Sequence, residues 1–446
     1  MVQLTKEQDR YLADFEWFER NGPAQKPTWV HDLRVAAIAR FAALGFPTTR
    51  LEEWKYTNVA PLTKIPFTPA ASIRNGLTRD RLGPIALTDV AGTQLVFVNG
   101  QYAPELSSWR SLPQGVQVGS LAAAFGGTAQ WIEPHFARYA SYQEHAFVAL
   151  NTAFMEDGAI VFLPEGTMLE RPLHLLFITI AGGEPTVAYP RNLLVAGPNS
   201  QATIIESYVG LGNGVYCTNA VTELVVGAHA AVDHTRLQLE SSEAFHLGTL
   251  QIQQERSSAV VSHSVALGGA LVRNDVNAVL AGEGSECTLN GLYIVTGQRH
   301  VDNHTRIEHV KAHCTSRELY KGVLNEKARG VFSGKIVVHP AAQKTDARQT
   351  NKNLLLSRDA LIDSKPQLEI FNNDVQCSHG STIGEIDEDA LFYLRTRGID
   401  AEAARWLLTY AFVSEILNKL RVESLRDQLE KPLVALIHAG NGREGV

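Results

Sequence analysis

Cys377 and His379 stand two residues apart in the run Phe371-Asn-Asn-Asp-Val-Gln-Cys377-Ser-His379-Gly380-Ser-Thr-Ile-Gly384. In an extended strand, side chains at i and i+2 leave on the same face. A thiolate and an imidazole presented together are ligands for iron or zinc, the thiolate being the softer donor. A closed tetrahedral site takes about four ligands, and this stretch supplies two. The spacing describes half of a metal site completed from outside the strand, or else a small buried cysteine beside a hydrogen-bonded histidine.

A second set is His300, Asp302 and His304. At i, i+2 and i+4 they share one strand face, either as a mononuclear metal set or as a polar ladder on an outer surface. His309 and His313 follow closely. No Gly-x-x-x-x-Gly-Lys-Ser/Thr loop occurs, so the chain is expected to bind no nucleotide that way. No Gly-x-Ser-x-Gly elbow occurs either.

Bulk properties narrow the function classes. The 446 residues carry a net charge of −7 with no dense Lys/Arg run, which argues against nucleic-acid and anionic-membrane surfaces. Cysteines at 217, 287, 314 and 377 lack Cys-x-x-Cys spacing; they are too sparse for a disulfide scaffold and fit a reducing compartment. The start carries acids and no continuous apolar run, unlike a signal peptide. The most apolar stretch, Leu173 to Gly183, contains His174 and falls short of the roughly 18 residues of a membrane span. A cytoplasmic protein is expected.

Three parts must position these residues. Residues 1–130 read as a largely helical N-terminal domain, although 62–130 show no clear pattern. A first helix carries Leu12 and Phe15 and ends at Gly22-Pro23. A second starts at Thr28 as N-cap, places Ala37, Phe41 and Leu44 on one side and stops at Gly45. Residues 131–385 read as a β-solenoid core. Short Val/Ile/Leu/Thr-rich runs repeat with starts at Ser200, Ala230, Ser258, Ser285 and Ala312, spaced 30, 28, 27 and 27 residues, the mark of stacked coils. Each coil is expected to bury its apolar side, with Cys287 and Cys314 in the same place of adjacent coils. Residues 386–446 read as helical again. Asp387 and Asp400 serve as caps and Gly398 as a stop. In the helix after Asp400, Ala403, Leu407, Tyr410, Ser414 and Leu417 form one stripe and Trp406, Val413, Ile416 and Leu420 another. A helix apolar on two sides needs two partners: its own domain, plus another chain or a neighbouring helix near Leu425 to Ile437.

The run Pro366-Gln-Leu-Glu-Ile-Phe-Asn-Asn-Asp-Val-Gln-Cys377-Ser-His379-Gly, with Gly384 through Phe392-Tyr-Leu-Arg395-Thr-Arg397-Gly398-Ile399, closely resembles the SufB/SufD family of iron–sulfur cluster assembly scaffolds. Supporting matches are Lys344-Thr-Asp346, Asn351-Lys-Asn353-Leu-Leu-Leu, Arg306-Ile-Glu308-His309, Glu165-Gly-Thr, Pro172-Leu-His174-Leu and Glu53-Trp54-Lys-Tyr56. The chain is more similar to the SufD branch. SufB chains resemble one another in a Glu-His-Glu-Ala stretch where this chain has Cys377-Ser-His379-Gly380, and in a Phe-Tyr-Cys where it has Phe392-Tyr393-Leu394.

This resemblance implies a mainly β fold, a right-handed parallel β-helix between helical terminal domains. It implies a non-catalytic scaffold that pairs with SufB through the core and docks SufC, an ABC-type ATPase, through the C-terminal helices. Arg395, Arg397, Gly398, Ile399, Trp406 and Tyr410 are the docking candidates. Iron or a transient iron–sulfur cluster would sit at the SufB–SufD interface, with His379 and its neighbour Cys377 as ligand candidates and a SufB cysteine opposite. A homodimer formed without SufB is the first alternative, and a metal-dependent β-helix enzyme the second.

Overall fold

The computed structural model describes residues 5–21, 27–70, 77–82, 87, 92–127 and 130–439. The Gly22-Pro23 stop lies outside them. Strands from 191 onward alternate between two sheets, so each coil gives one strand to each. Parallel pairing runs in unbroken register from coil to coil. The two outermost strands are Leu361–Ile370, closing the 11-stranded sheet, and Gln376–Gly384, closing the 10-stranded one.

The period-2 pattern explains the coils. In Glu286–Val295, Cys287, Leu289 and Tyr293 point inward to the solenoid core, while Leu292 and Ile294 point outward into another apolar cluster. Strands buried on both faces read as near-continuous apolar runs. Close approach fixes two glycines. Gly291 pairs with Tyr320 and Gly322 with Tyr293 across adjacent coils. A Cβ at Gly291 would lie 2.1 Å from the Tyr320 ring, and one at Gly322 2.3 Å from Tyr293.

The flanks differ in origin. Helices Lys6–Asn21, Thr28–Leu44 and Ala146–Phe154 cover the outer face of the 11-stranded sheet through Phe41, Leu150, Phe154 and Leu247. Helices Ala401–Leu417 and Glu423–Ala439 cover the other sheet, with Val413, Ile416, Leu420, Leu425 and Leu429 packed on Leu237, Leu292 and Val323.

Three expectations change. The solenoid opens before residue 131: Thr93–Val98 pairs in parallel with Leu173–Ile180, and Gln117–Ser120 pairs with Ala159–Leu163. Thr93–Val98 is buried at every residue, so no alternation betrays it as a strand. The second helix is preceded by Pro27 and has no side-chain cap. Cys314 does not stack on Cys287, whose register partner is Ser316. The fifth unit starts two residues later than its small-residue pattern suggests, and Cys314 lies 3.4 Å from the Ser285 hydroxyl. The coils bury their apolar side as expected, and polar groups lie among it. Glu206, His234, Arg236, Glu318 and Gln349 are enclosed in it.

Candidate functional site

Strand Gln376–Gly384 is built on Asp346–Leu355, with Cys377 opposite Ala347 and His379 opposite Gln349. Ala347 and Gln349 are both enclosed, so the i, i+2 pair occupies the inward columns. The final coil has no further coil above it. Inward side chains here therefore look out of the open end of the solenoid: Cys377 is half-buried and His379 exposed. Burial pushes the Cys377 thiol above its ordinary value, Asp346 adds to the rise, and a hydrogen bond with the Ala347 backbone opposes it. Ligation by iron would favour the thiolate that this environment disfavours. Among the described residues, no group of three or more His, Cys, Asp or Glu is gathered to hold a metal ion.

The other three cysteines are enclosed. Burial pushes the Cys287 thiol up to about 12, with Glu318 adding to it. Burial likewise raises Cys217 far above its usual range.

His300, Asp302 and His304 share the outward face of strand His300–His309, where they pair with one another and with Thr57 as the polar-ladder alternative has it, rather than as an open metal set. The Asp302 carboxylate is taken by Arg273 Nη1 at 2.7 Å and by the Thr57 hydroxyl. His304 Nε2 lies 3.1 Å from its other oxygen. His300 Nε2 meets Thr57 Oγ1 at 2.9 Å. Burial alone would raise the Asp302 pKa; Arg273 and His304 override it and hold the carboxyl well below the usual range. The cluster is a clamp on the segment around Trp54, whose ring lies 4.2 Å from the Arg273 guanidinium. His309 points inward to the Ser316 hydroxyl at 2.9 Å. His313 occupies a positive-φ turn and donates its backbone N–H to Gln343 O.

The C-terminal helices place the docking candidates. Asp387 caps helix Glu388–Thr396 through the N–H groups of Asp389 and Ala390, and Asp400 caps the next helix through Ala403. Gly398 has φ +86° between them. Arg395 is exposed, and the Arg397 guanidinium lies over the Tyr393 ring at 5.1 Å. The Ile399 N–H reaches Leu394 O at 3.3 Å. Trp406 and Tyr410 stack at 5.3 Å, and the Tyr410 hydroxyl donates to Glu430 on the last helix. The neighbouring helix is thus the second partner of Ala401–Leu417. Sequence reasoning missed Phe392 and Tyr393 as surface candidates; both are more than half exposed. Their signal was two adjacent aromatics beside a single buried Leu391.

A cleft of about 770 Å³ separates the N-terminal segment near Trp54 from the outer face of the 11-stranded sheet. Its cations are paired within the chain, Lys335 with Glu369 at 2.6 Å, Arg306 with Glu308 at 2.7 Å and Lys365 with Glu52.

Residues 177–412 match the family described as SUF system FeS cluster assembly, SufBD core domain, and residues 5–175 match the SufBD protein N-terminal region. An iron–sulfur cluster assembly SufBD family protein of Synechocystis is 35% identical over 89% of each chain. The iron–sulfur cluster assembly protein SufD of Escherichia coli is 33% identical over 92% of this chain and 93% of its own. The Bacillus subtilis SufD is 26% identical over 91% and 93%. A solenoid of this topology with these matches defines an iron–sulfur cluster assembly protein. The chain belongs to the SufB/SufD family. Among the described residues, no helix is long and apolar enough to cross a membrane.

Proposed function

We propose that this chain is a non-catalytic SufD-type scaffold, pairing with SufB through the final coil and docking SufC through its C-terminal helices. The observation that carries the reading is the placement of Cys377 and His379 at the open end of the solenoid. Iron or a nascent cluster is the cargo there, held by this pair and by a SufB thiolate. Iron–sulfur clusters are bound chiefly by thiolate, with histidine as a substitute that tunes the site. A two-ligand contribution suits a scaffold that must release what it builds.

The surroundings support a seam at this end. Leu361, Ile370, Phe371 and Ile383 are large apolar side chains exposed on the last coil, and such clusters mark interaction surfaces. Both edge strands also offer unpaired backbone groups. The same edge allows isologous pairing with a second copy, so a homodimer is the reading to separate by mass measurement with and without SufB. ATP-driven motion of SufC, passed through Asp387 to Leu420, would open or shift the seam.

Thiol labelling tests the seam. At pH 8.5 in the isolated chain, a maleimide should modify Cys377 far faster than the three enclosed cysteines. Adding SufB should slow that reaction at least about tenfold. An unchanged rate would place the seam elsewhere. In a companion experiment the chain is ended after Ile386; SufC still co-purifying with the shortened chain alone would contradict docking through the C-terminal helices.

A further inference from the structure

Behind His379 the register places Gln349, and behind Gln349 it places Glu318. These two are 1% and 3% exposed. The Gln349 amide reaches across the coil interior: a Cβ at Gly334, on the opposite sheet, would sit 2.2 Å from its Nε2. Its orientation is set by that Nε2, which donates to Glu318 Oε2 at 2.7 Å. With the amide nitrogen committed, the amide oxygen remains. Gln349 Oε1 is buried and has no hydrogen-bond partner among the described residues. A buried acceptor left unpaired costs about 1–3 kcal/mol, and such groups in native proteins call for a physical account.

The next residue in this inward column is His379, one coil further out. Its imidazole carries a ring N–H of the kind the orphaned oxygen lacks. Ligating histidines commonly donate their second ring N–H to a carbonyl or carboxylate, which fixes tautomer and ring plane.

We infer that Gln349 is a positioning residue for His379: its amide oxygen accepts one ring N–H and leaves the other ring nitrogen turned out of the open end toward iron. The inference rests on the proposed role of His379 and adds the residue that aims it. Glu318 holds the amide in place. With Glu318 ionised, the inward step from His379 to Glu318 runs in one direction, ring N–H to amide oxygen and amide N–H to carboxylate.

The test uses the complex with SufB and SufC, reconstituted anaerobically with ferrous iron and sulfide. Gln349→Met keeps length and removes the acceptor. It should lower iron retained after gel filtration at least about tenfold, the usual range for losing such a partner. It should also change the ¹⁵N-histidine hyperfine coupling of the dithionite-reduced cluster. The exchange variant Glu318→Gln with Gln349→Glu keeps both an amide–carboxylate pair and an acceptor beneath His379, and should restore both readouts. In a His379→Ala background, Gln349→Met should have no further effect. Complex assembly is followed by mass, and Gln349→Asn serves as a second variant should the methionine variant fail to fold; its shortened amide should give the same loss. Wild-type retention and coupling in a folded Gln349 variant would overturn the inference while leaving the role of His379 intact. Wild-type retention in His379→Ala would overturn both.

Discussion

Arg273 donates to the Asp302 carboxylate at 2.7 Å, with both side chains almost wholly enclosed on the outward face of the solenoid. A second Arg273 contact, from Nη1 to the Glu53 carbonyl at 2.8 Å, ties the N-terminal segment to that pair. Removing one member of a buried ion pair strands the other, at a cost of roughly 3–5 kcal/mol. Asp302→Ala should lie at the lower end, because Asp275 still faces Arg273 at 2.8 Å. The loss should be local, with amide exchange accelerating at residues 52–57 before the core responds. Cluster yield in the complex should not change. Unaltered exchange at 52–57 would show that the pair is not the clamp.

Glu318 gives a pH-dependent signature. Burial pushes its carboxyl up to about 7, against the opposing influence of the nearby Thr305 hydroxyl and the hydrogen bond from Gln349, whereas an unfolded glutamate titrates at about 4.3. Between these values the folded chain holds a proton that the unfolded chain has released. Stability contributed by the protonated form is therefore lost as pH rises through the window from about 4.3 to 7, and the slope flattens above it. Glu318→Gln should remove that slope and leave the variant more stable at pH 8 than wild type. Urea midpoints measured from pH 4.5 to 8.5 on both proteins check this; parallel curves would contradict it.

Lys321 joins the solenoid to the C-terminal helices. Its ammonium donates to the Phe412 carbonyl at 2.8 Å, lies 4.4 Å from the Phe412 ring centroid and pairs with Glu415 at 2.5 Å. The lysine is almost enclosed whereas Glu415 is nearly half exposed, so most of the effect should come from the carbonyl and ring contacts. Lys321→Met should speed amide exchange in residues 401–417 by about fivefold to tenfold, about 1–1.4 kcal/mol of local opening energy, without altering exchange in the coils. Glu415→Gln should do much less.

Gly291 and Tyr320 test the packing of the coils. Gly291→Ala drives a methyl into the Tyr320 ring and should cost about 1–3 kcal/mol, as overpacking does. Tyr320→Leu in the same chain should recover part of that loss, which a denaturation midpoint measures. An additive double variant would mean that the ring moves aside freely.

The coils were legible because short Val/Ile/Leu/Thr-rich runs with small opening residues recur at nearly constant spacing. The terminal helices were legible through Asp387, Asp400 and Gly398, whose cap and stop chemistry is local. The solenoid's opening was hidden because Thr93–Val98 is buried on both faces and its partner strand lies some 80 residues away, Thr93 pairing with Leu173. Cys314 was misplaced because small residues at turn corners imitate one another, and only the hydrogen-bond register separates them. At the site, the shared face of Cys377 and His379 followed from strand periodicity. Gln349 beneath His379 did not, since stacking between coils joins residues 30 apart. The two readings of His300 and His304 were inseparable in sequence for a related reason: Arg273, which occupies Asp302, is brought in by the neighbouring coil.

The most direct measurement is cluster formation by the SufB–SufC–SufD-type complex carrying His379→Ala, reconstituted without oxygen from ferrous iron and sulfide and quantified by iron, sulfide and visible absorption. The loss of one of few ligands should cut the yield several-fold while complex mass stays the same. A yield equal to wild type, in a complex of unchanged composition, would contradict the claim that the last coil presents half of a coordination shell.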